Sequence, residues 1–253
     1  MRAGGLTVLI AATLMSLASM ASAAEIRLLS VGAVQNAVRP LAAEFTKETG
    51  HQVTLAVAAP AVLLQKLKAG EVFDAVIVSE AAMDELDRDG RVNPESRVRL
   101  ASAGLGIAVR AGAPVPDVST PETFKQALLA APSIVYGDPG VAHQSGEKIE
   151  RMLAKAGILD TVKRKLRIVA SQEMIAKGEA AMGLYNASEI AEERGLSFVG
   201  PVPAPLQVDT SYEGGLLSDG SVPEAARAFI EFLASSDNHP RWRAARLEPL
   251  GDR

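Results

Sequence analysis

The chain has 253 residues, with 26 Lys and Arg against 30 Asp and Glu for a net charge of −4, three His and no Cys. The acidic balance argues against nucleic acid or an anionic membrane surface as partner. The missing cysteines exclude disulfides, thiolate metal sites and a lipid-anchored export signal.

The N-terminus reads as an export signal. Arg2 gives a short positive start, Leu6 to Ala18 is almost wholly apolar, and Ala21-Ser22-Ala23 supplies the small-x-small cleavage site. The apolar run is shorter than the ~20 residues a membrane span needs, so no membrane anchor is expected. Residues 1–23 are therefore a signal peptide. A mature periplasmic chain of about 230 residues remains, with a net charge of about −5.

Strand-then-helix units follow. Glu25 to Leu29 reads as a strand, Ser30-Val31-Gly32-Ala33 as its joint, and a helix runs through Phe45 to a stop at Gly50. Gln52 to Val57 repeats the pattern, with Ala58-Ala59-Pro60-Ala61 as joint and a helix to Gly70. Phe73 to Val78 is a third strand, and Ser79 caps a helix holding Met83 and Leu86. Loops that leave strand ends and open helices gather free backbone N–H groups at one sheet edge. Such an edge is a site for a small anion.

Val98 to Val109 is a long, weakly polar stretch broken by Gly104 and Gly106, and Ser119-Thr120-Pro121-Glu122 starts a helix. Ser133 to Tyr136 is a strand, Ser145-Gly146-Glu147 opens a helix ending at Gly157, and Leu166 to Val169 is again strand-like before a helix to Lys177. Ala181 to Tyr185 is one more strand, with a helix opening at Asn186-Ala187-Ser188-Glu189. Gln207 to Leu217 is extended. Pro223 to Leu233 is an amphipathic helix with Ala226, Phe229, Ile230 and Leu233 on one face, and a last helix surrounds Trp242.

Persistent strand–helix alternation indicates an α/β protein with largely parallel sheets. The expected fold is two doubly wound lobes joined by two extended hinge crossings near 103–109 and 207–213. Residues 24–105 plus 208–253 form lobe one, and 106–207 form lobe two.

No Gly-x-Ser-x-Gly turn, Walker loop or dinucleotide fingerprint occurs, and the histidines at 51, 143 and 239 do not form a helical zinc motif. The chain instead resembles the periplasmic solute-binding proteins of the molybdate and tungstate type, which serve ABC importers. The likeness rests on Phe45-Thr46-Lys47-Glu48-Thr49-Gly50, Phe73 to Ser79 with Met83 and Leu86, and Gly178-Glu179-Ala180-Ala181-Met182-Gly183. Ala113-Pro114 and the helix Phe229-Ile230-Glu231-Phe232-Leu233 fit as well. The resemblance implies a type 2 periplasmic binding fold, a small anion ligand, an ABC permease as partner, a monomer, and no cofactor or metal.

The resemblance also implies ligand-binding positions. A serine of the family's first loop falls on Ala33 and one of its second loop on Ala59, beside Pro60. An amide donor falls on Ser145, a tyrosine hydroxyl on Asn186, and a further backbone amide near Val169 to Ser171. Two hydroxyls are thus missing, and Pro60 has no N–H to offer. A tetrahedral dianion needs many fixed donors to offset its lost hydration, so molybdate is disfavoured. Ser30, Gln35, His143, Gln144, Ser145 and Asn186 are available as a different donor set.

Those departures point to organic anions. Asp138-Pro139-Gly140 to Ser145-Gly146 and Phe198-Val199-Gly200-Pro201-Val202-Pro203 are similar to a branch that includes aconitate isomerase. A 1,3-proton shift needs a general base, and His143, Tyr212 and Glu213 are the candidates.

Several residues read two ways. Ser30 and Ser145 are ligand contacts or helix caps, and His143 is a ligand contact or a solvated loop residue. Asn186 belongs near the cleft, whereas Tyr185 packs in the sheet. Asp74 fixes the start of a buried strand. Asp84, Glu85, Asp87 and Asp89 form a solvated face, open to a transporter surface, and Arg39, Arg97 and Arg99 lie on the surface. Trp242 anchors the last helix.

Overall fold

The computed structural model describes residues 23–137, 145–169 and 171–251. Strands β1 (Glu25–Val31), β2 (Gln52–Ala58) and β3 (Ala75–Ser79) run parallel, with Leu28 opposite both Leu55 and Ala75. Helices α1 (Gln35–Thr49) and α2 (Pro60–Lys68) make the crossovers, and α3 (Glu80–Arg88) leaves the third strand. Their ends follow the sequence signals. Gly50 takes φ 79°, open to a residue without Cβ, and its N–H returns to Thr46 O at 2.9 Å. The Ser79 hydroxyl accepts from Ala82 N–H at 3.4 Å and caps α3.

The long stretch from Val98 to Val109 is two strands, β4 (Val98–Ala103) and β5 (Leu105–Arg110), in two different sheets. After it come α4 (Pro121–Ala130), β6 (Ile134–Gly137), α5 (Ser145–Lys155), α6 (Leu159–Val162) and β7 (Leu166–Val169). Next are α7 (Glu173–Ala176), β8 (Met182–Asn186), β9 (Leu196–Pro201) and β10 (Thr210–Leu216). The chain closes with α8 (Pro223–Ala234), α9 (His239–Ala244) and β11 (Glu248–Pro249).

One sheet has the order β11-β4-β10-β3-β1-β2 and the other β7-β6-β8-β5-β9. Both are mixed, which corrects the expectation of largely parallel sheets. β10 lies antiparallel to β3 and β4, β11 to β4, and β5 to both β8 and β9. Strand–helix alternation reports the parallel pairs. Apart from the short β11 pairing, the antiparallel ones involve β5 and β10, which arrive from the opposite sheet, a long-range event with no local signature.

Each sheet carries its own apolar core. The first gathers Leu28, Ile77, Leu41 and Phe45 with the α8 face of Ala226, Phe229, Ile230 and Leu233. Phe45 tilts onto Phe229 at 5.0 Å between ring centroids. Trp242 is fully buried and donates its indole N–H to Leu233 O at 2.9 Å, tying α9 to α8. In the second, Ile134, Ile149, Met152, Leu153 and Leu184 pack together, with Tyr185 buried on the other face of β8.

The chain passes between the sheets at Gly104 and again over 202–209. The passages are stitched together by Gln207. Its Oε1 accepts from Leu105 N–H at 2.7 Å, and its Nε2 donates to Leu105 O at 3.0 Å. A Cβ on Gly104 would stand 2.9 Å from Gln207 Nε2 and 2.9 Å from Asp209 Oδ1. A larger residue there would have to displace the Gln207 amide from its place between the passages.

Candidate functional site

Parallel strands that end in register place their following turns along one sheet edge. Val31 pairs with Ala58 and Ser30 with Ile77, so the turns after β1, β2 and β3 share that edge. The first is a 3-10 turn, Gly32–Val34, in front of α1. The second is Ala59, which precedes α2 without a side-chain cap and is followed by Pro60 as the first helical residue.

The edge meets the turn after β8. Asn36 Nδ2 donates to Ser188 O at 2.8 Å, and Ala187 N–H donates to Gly104 O at 2.8 Å. A Cβ on Gly32 would lie 3.4 Å from Glu189 Oε1, so that carboxylate rests against the first turn. A cleft between the two sheets is therefore lined by backbone turns from both.

Ser30 is fully buried on β1, where its Oγ donates to Val31 O at 3.2 Å and caps no helix. Ala33 is buried in the first turn and Ala59 is half-buried at the second. Asn186 is buried at the end of β8, and a three-residue 3-10 turn, Ala187–Glu189, stands where a longer helix was expected. Ser171 is exposed beyond β7, with its Oγ accepting from Glu173 N–H at 3.1 Å. It shares a cavity of about 610 Å³ with Gln35, Asn36, Arg39 and Glu189. Residues 1–22 of the expected signal peptide, together with His143 and Gln144, lie outside the described residues, as does the Ser145 side chain.

Tyr212 and Glu213, neighbours on β10, part company. Tyr212 pairs in register with Ser79 and is buried. Burial first, and the Glu189 carboxylate second, raise its pKa well above the ordinary tyrosine value. Tyr185 is raised for the same two reasons, so one tyrosine from each sheet feels the same carboxylate. Glu213 turns instead onto Arg97, accepting from its Nε at 3.0 Å.

Arg97 corrects the reading of a surface residue. Its guanidinium also meets Asp84 at 2.6 Å and Asp87 at 3.0 Å, which withdraws those two acids from a purely solvated face. The Asp84 bond is the largest influence raising its pKa, ahead of the opposing effect of burial. Three carboxylates from α3 and β10 thus share one cation. Asp74 behaves as expected: its Oδ2 accepts from Arg27 N–H at 2.7 Å and its Oδ1 from Ser221 N–H at 2.7 Å, fixing the start of β3.

Two polar residues beside the cleft escaped the sequence. Ser188 is buried, and its Oγ has no hydrogen-bond partner among the described residues. Its place directly after a strand end was the available signal. Lys148 lies on the buried face of α5 and is only 5 % exposed. Its Nζ reaches Asn186 Oδ1 at 3.4 Å, while Asn186 Nδ2 donates to Glu189 Oε2 at 2.7 Å. Burial pulls the Lys148 ammonium down to about 8, against the attraction of Asp209 and Glu189 and with some help from Arg151. Lysine on a helix normally reads as solvated, so only packing reveals it.

At the rim, Arg246 from the segment between α9 and β11 pairs with Glu192 and lies over the Phe198 ring at 4.4 Å. Arg246 takes φ 59°, the left-handed region, alone among the described residues other than glycine.

Two mixed α/β units with a cleft at their strand ends make up the type 2 periplasmic binding fold. Residues 26–245 match the family described as bacterial extracellular solute-binding protein, and the chain belongs to that family. It is similar to an aconitate isomerase from Pseudomonas sp., with 33 % identity over 231 residues, 88 % of this chain and 87 % of that one. It is also similar to the molybdate-binding protein ModA of Azotobacter vinelandii, 24 % identical over 86 % of this chain and 87 % of the relative. The solved periplasmic molybdate-binding protein of A. vinelandii superposes with a TM-score of 0.73 at 18 % identity, covering 88 % of this chain and 98 % of that one.

Proposed function

We propose that the protein captures a small organic anion in the periplasm and presents it to the permease of an ABC importer. The observation that carries this reading is the meeting of the start of α1 with the turn after β8, where Asn36 Nδ2 donates to Ser188 O at 2.8 Å. Turns at strand ends offer backbone N–H groups and helix dipoles to negative charge, and a ligand seated between them would draw the two sheets together. An organic anion is favoured over molybdate because Ala33, Ala59 and Pro60 supply no hydroxyl on the first sheet's side.

Calorimetry with trans-aconitate, cis-aconitate, citrate, molybdate and sulfate tests the reading. Binding of a carboxylate with molybdate at least tenfold weaker is expected. Failure of every one of these anions to bind would overturn the reading.

The second reading is isomerisation of a tricarboxylate. Identity of 33 % to an aconitate isomerase along 88 % of the chain favours it. Incubating the protein with cis- or trans-aconitate and following absorbance decides it. Steady conversion supports an enzyme, and none over hours supports a carrier.

A further inference from the structure

We infer that Lys148 is the counter-ion of a ligand carboxylate, so that the cleft selects carboxylate-bearing anions over tetrahedral oxyanions. This rests on the capture reading above and deepens it.

An ammonium has three donors, and a buried one needs them used. Lys148 has one bond, long at 3.4 Å, and no ion pair among the described residues. Every other buried charge described here is satisfied. Asp74 accepts from two backbone N–H groups and a hydroxyl at 3.0 Å or less, and Glu213 is held by Arg97. An incompletely satisfied buried cation is costly unless something else completes its shell.

The position says what that something is. Lys148 lines a cavity of about 380 Å³ with Arg151, Glu147, Glu80, Asp209 and the Ser79 side of α3. Glu80, Glu147 and Asp209 are exposed, whereas Lys148 is the buried member, facing Asn186 at the strand end. A carboxylate entering between the sheets would therefore meet the ammonium in the interior and the acids at the rim. With Asn186 Nδ2 already given to Glu189, Lys148 is the buried cationic donor left to such a ligand, and Arg151 is a second cation in the lining of the same cavity.

The groups facing Lys148 also set a pH signature. Asp209 and Glu189 attract it, Arg151 repels it, and burial leaves it titrating near 8. Tyr185 and Tyr212 are raised above the ordinary tyrosine value and stay neutral through that range. A bound carboxylate would restore the proton, so affinity should fall as pH rises past about 8, approaching tenfold per unit.

Lys148→Met and Lys148→Arg should be compared with the unaltered protein by calorimetry, using trans-aconitate, citrate and molybdate from pH 6.5 to 9.5. The expected result is at least a 30-fold weaker carboxylate affinity in Lys148→Met and loss of its pH dependence. At pH 8.5 the unaltered protein should take up a proton on binding, read from the heat in buffers of different ionisation enthalpy. The thermal midpoint of Lys148→Met should be equal or higher, since an unpaired buried cation is gone.

Unchanged carboxylate affinity in Lys148→Met overturns the inference and leaves the capture reading standing. Tight molybdate binding without carboxylate binding overturns the inference and the preference for an organic anion together. No anion bound by the unaltered protein overturns both.

Discussion

Replacing Arg97 by Met should expose what Glu213 contributes. The Arg97 side chain is 21 % exposed and that of Glu213 only 7 %, so the substitution strands a nearly buried carboxylate while releasing Asp84 and Asp87 to water. Breaking a fully buried pair costs about 3–5 kcal/mol, and an exposed one under about 1. With water able to follow the lost guanidinium, we expect about 2–3 kcal/mol, or a midpoint lowered by roughly 5–10 °C for a chain of this size. Urea unfolding followed by Trp242, the single tryptophan, is a suitable assay because that indole is buried in the core of the same sheet. Adding Glu213→Gln to Arg97→Met should recover about 1–2 kcal/mol by removing the stranded charge. A loss below about 1 kcal/mol for Arg97→Met, or additive effects in the double variant, would refute a coupled ion pair.

Restoring hydroxyls with Ala33→Ser and Ala59→Ser together should strengthen molybdate binding by about tenfold or more, at about 0.5–1.5 kcal/mol per added bond; calorimetry showing no gain would mean these turns do not face the ligand. Arg246→Ala should weaken ligand binding by about threefold to tenfold, the worth of one exposed ion pair and one cation–π contact across the cleft; unchanged affinity in the same assay would show that the contact does not favour closure. Gly104→Ala must push Gln207 from its paired bonds to Leu105 and should cost about 1–3 kcal/mol in urea unfolding, and an unaffected midpoint would contradict the close passage of the two crossings. Ser188→Ala should leave stability unchanged within about 0.5 kcal/mol, since its hydroxyl has no partner to lose among the described residues, and a larger loss would reveal one.

Much of the architecture was legible because its signals are local. The stops at Gly50 and Gly70, the Ser79 cap and the apolar face of α8 each lie within one or two turns of chain, and the structure repeats them. The antiparallel insertion of β10 between β3 and β4 was not legible, because it joins residues far apart in sequence. The site divides the same way. Ser30, Ala33, Ala59 and Asn186 could be placed at strand ends by counting, whereas Lys148 and Ser188 become notable only through burial, which needs both sheets. Arg97 looked like any surface arginine until β10 brought Glu213 to it.

The place of β10 has a consequence for how the protein is made. Residues 25–103 supply four strands of the first sheet, but β3 and β4 meet only through β10, which begins at Thr210. A chain emerging N-terminus first, from a ribosome or through a translocation pore, therefore carries a half-built sheet with two open edges until its last fifth has appeared. Premature collapse is disfavoured because the middle strand is still missing, and the slow long-range pairing waits for the whole polypeptide. Late completion of the first sheet is thus written into its strand order.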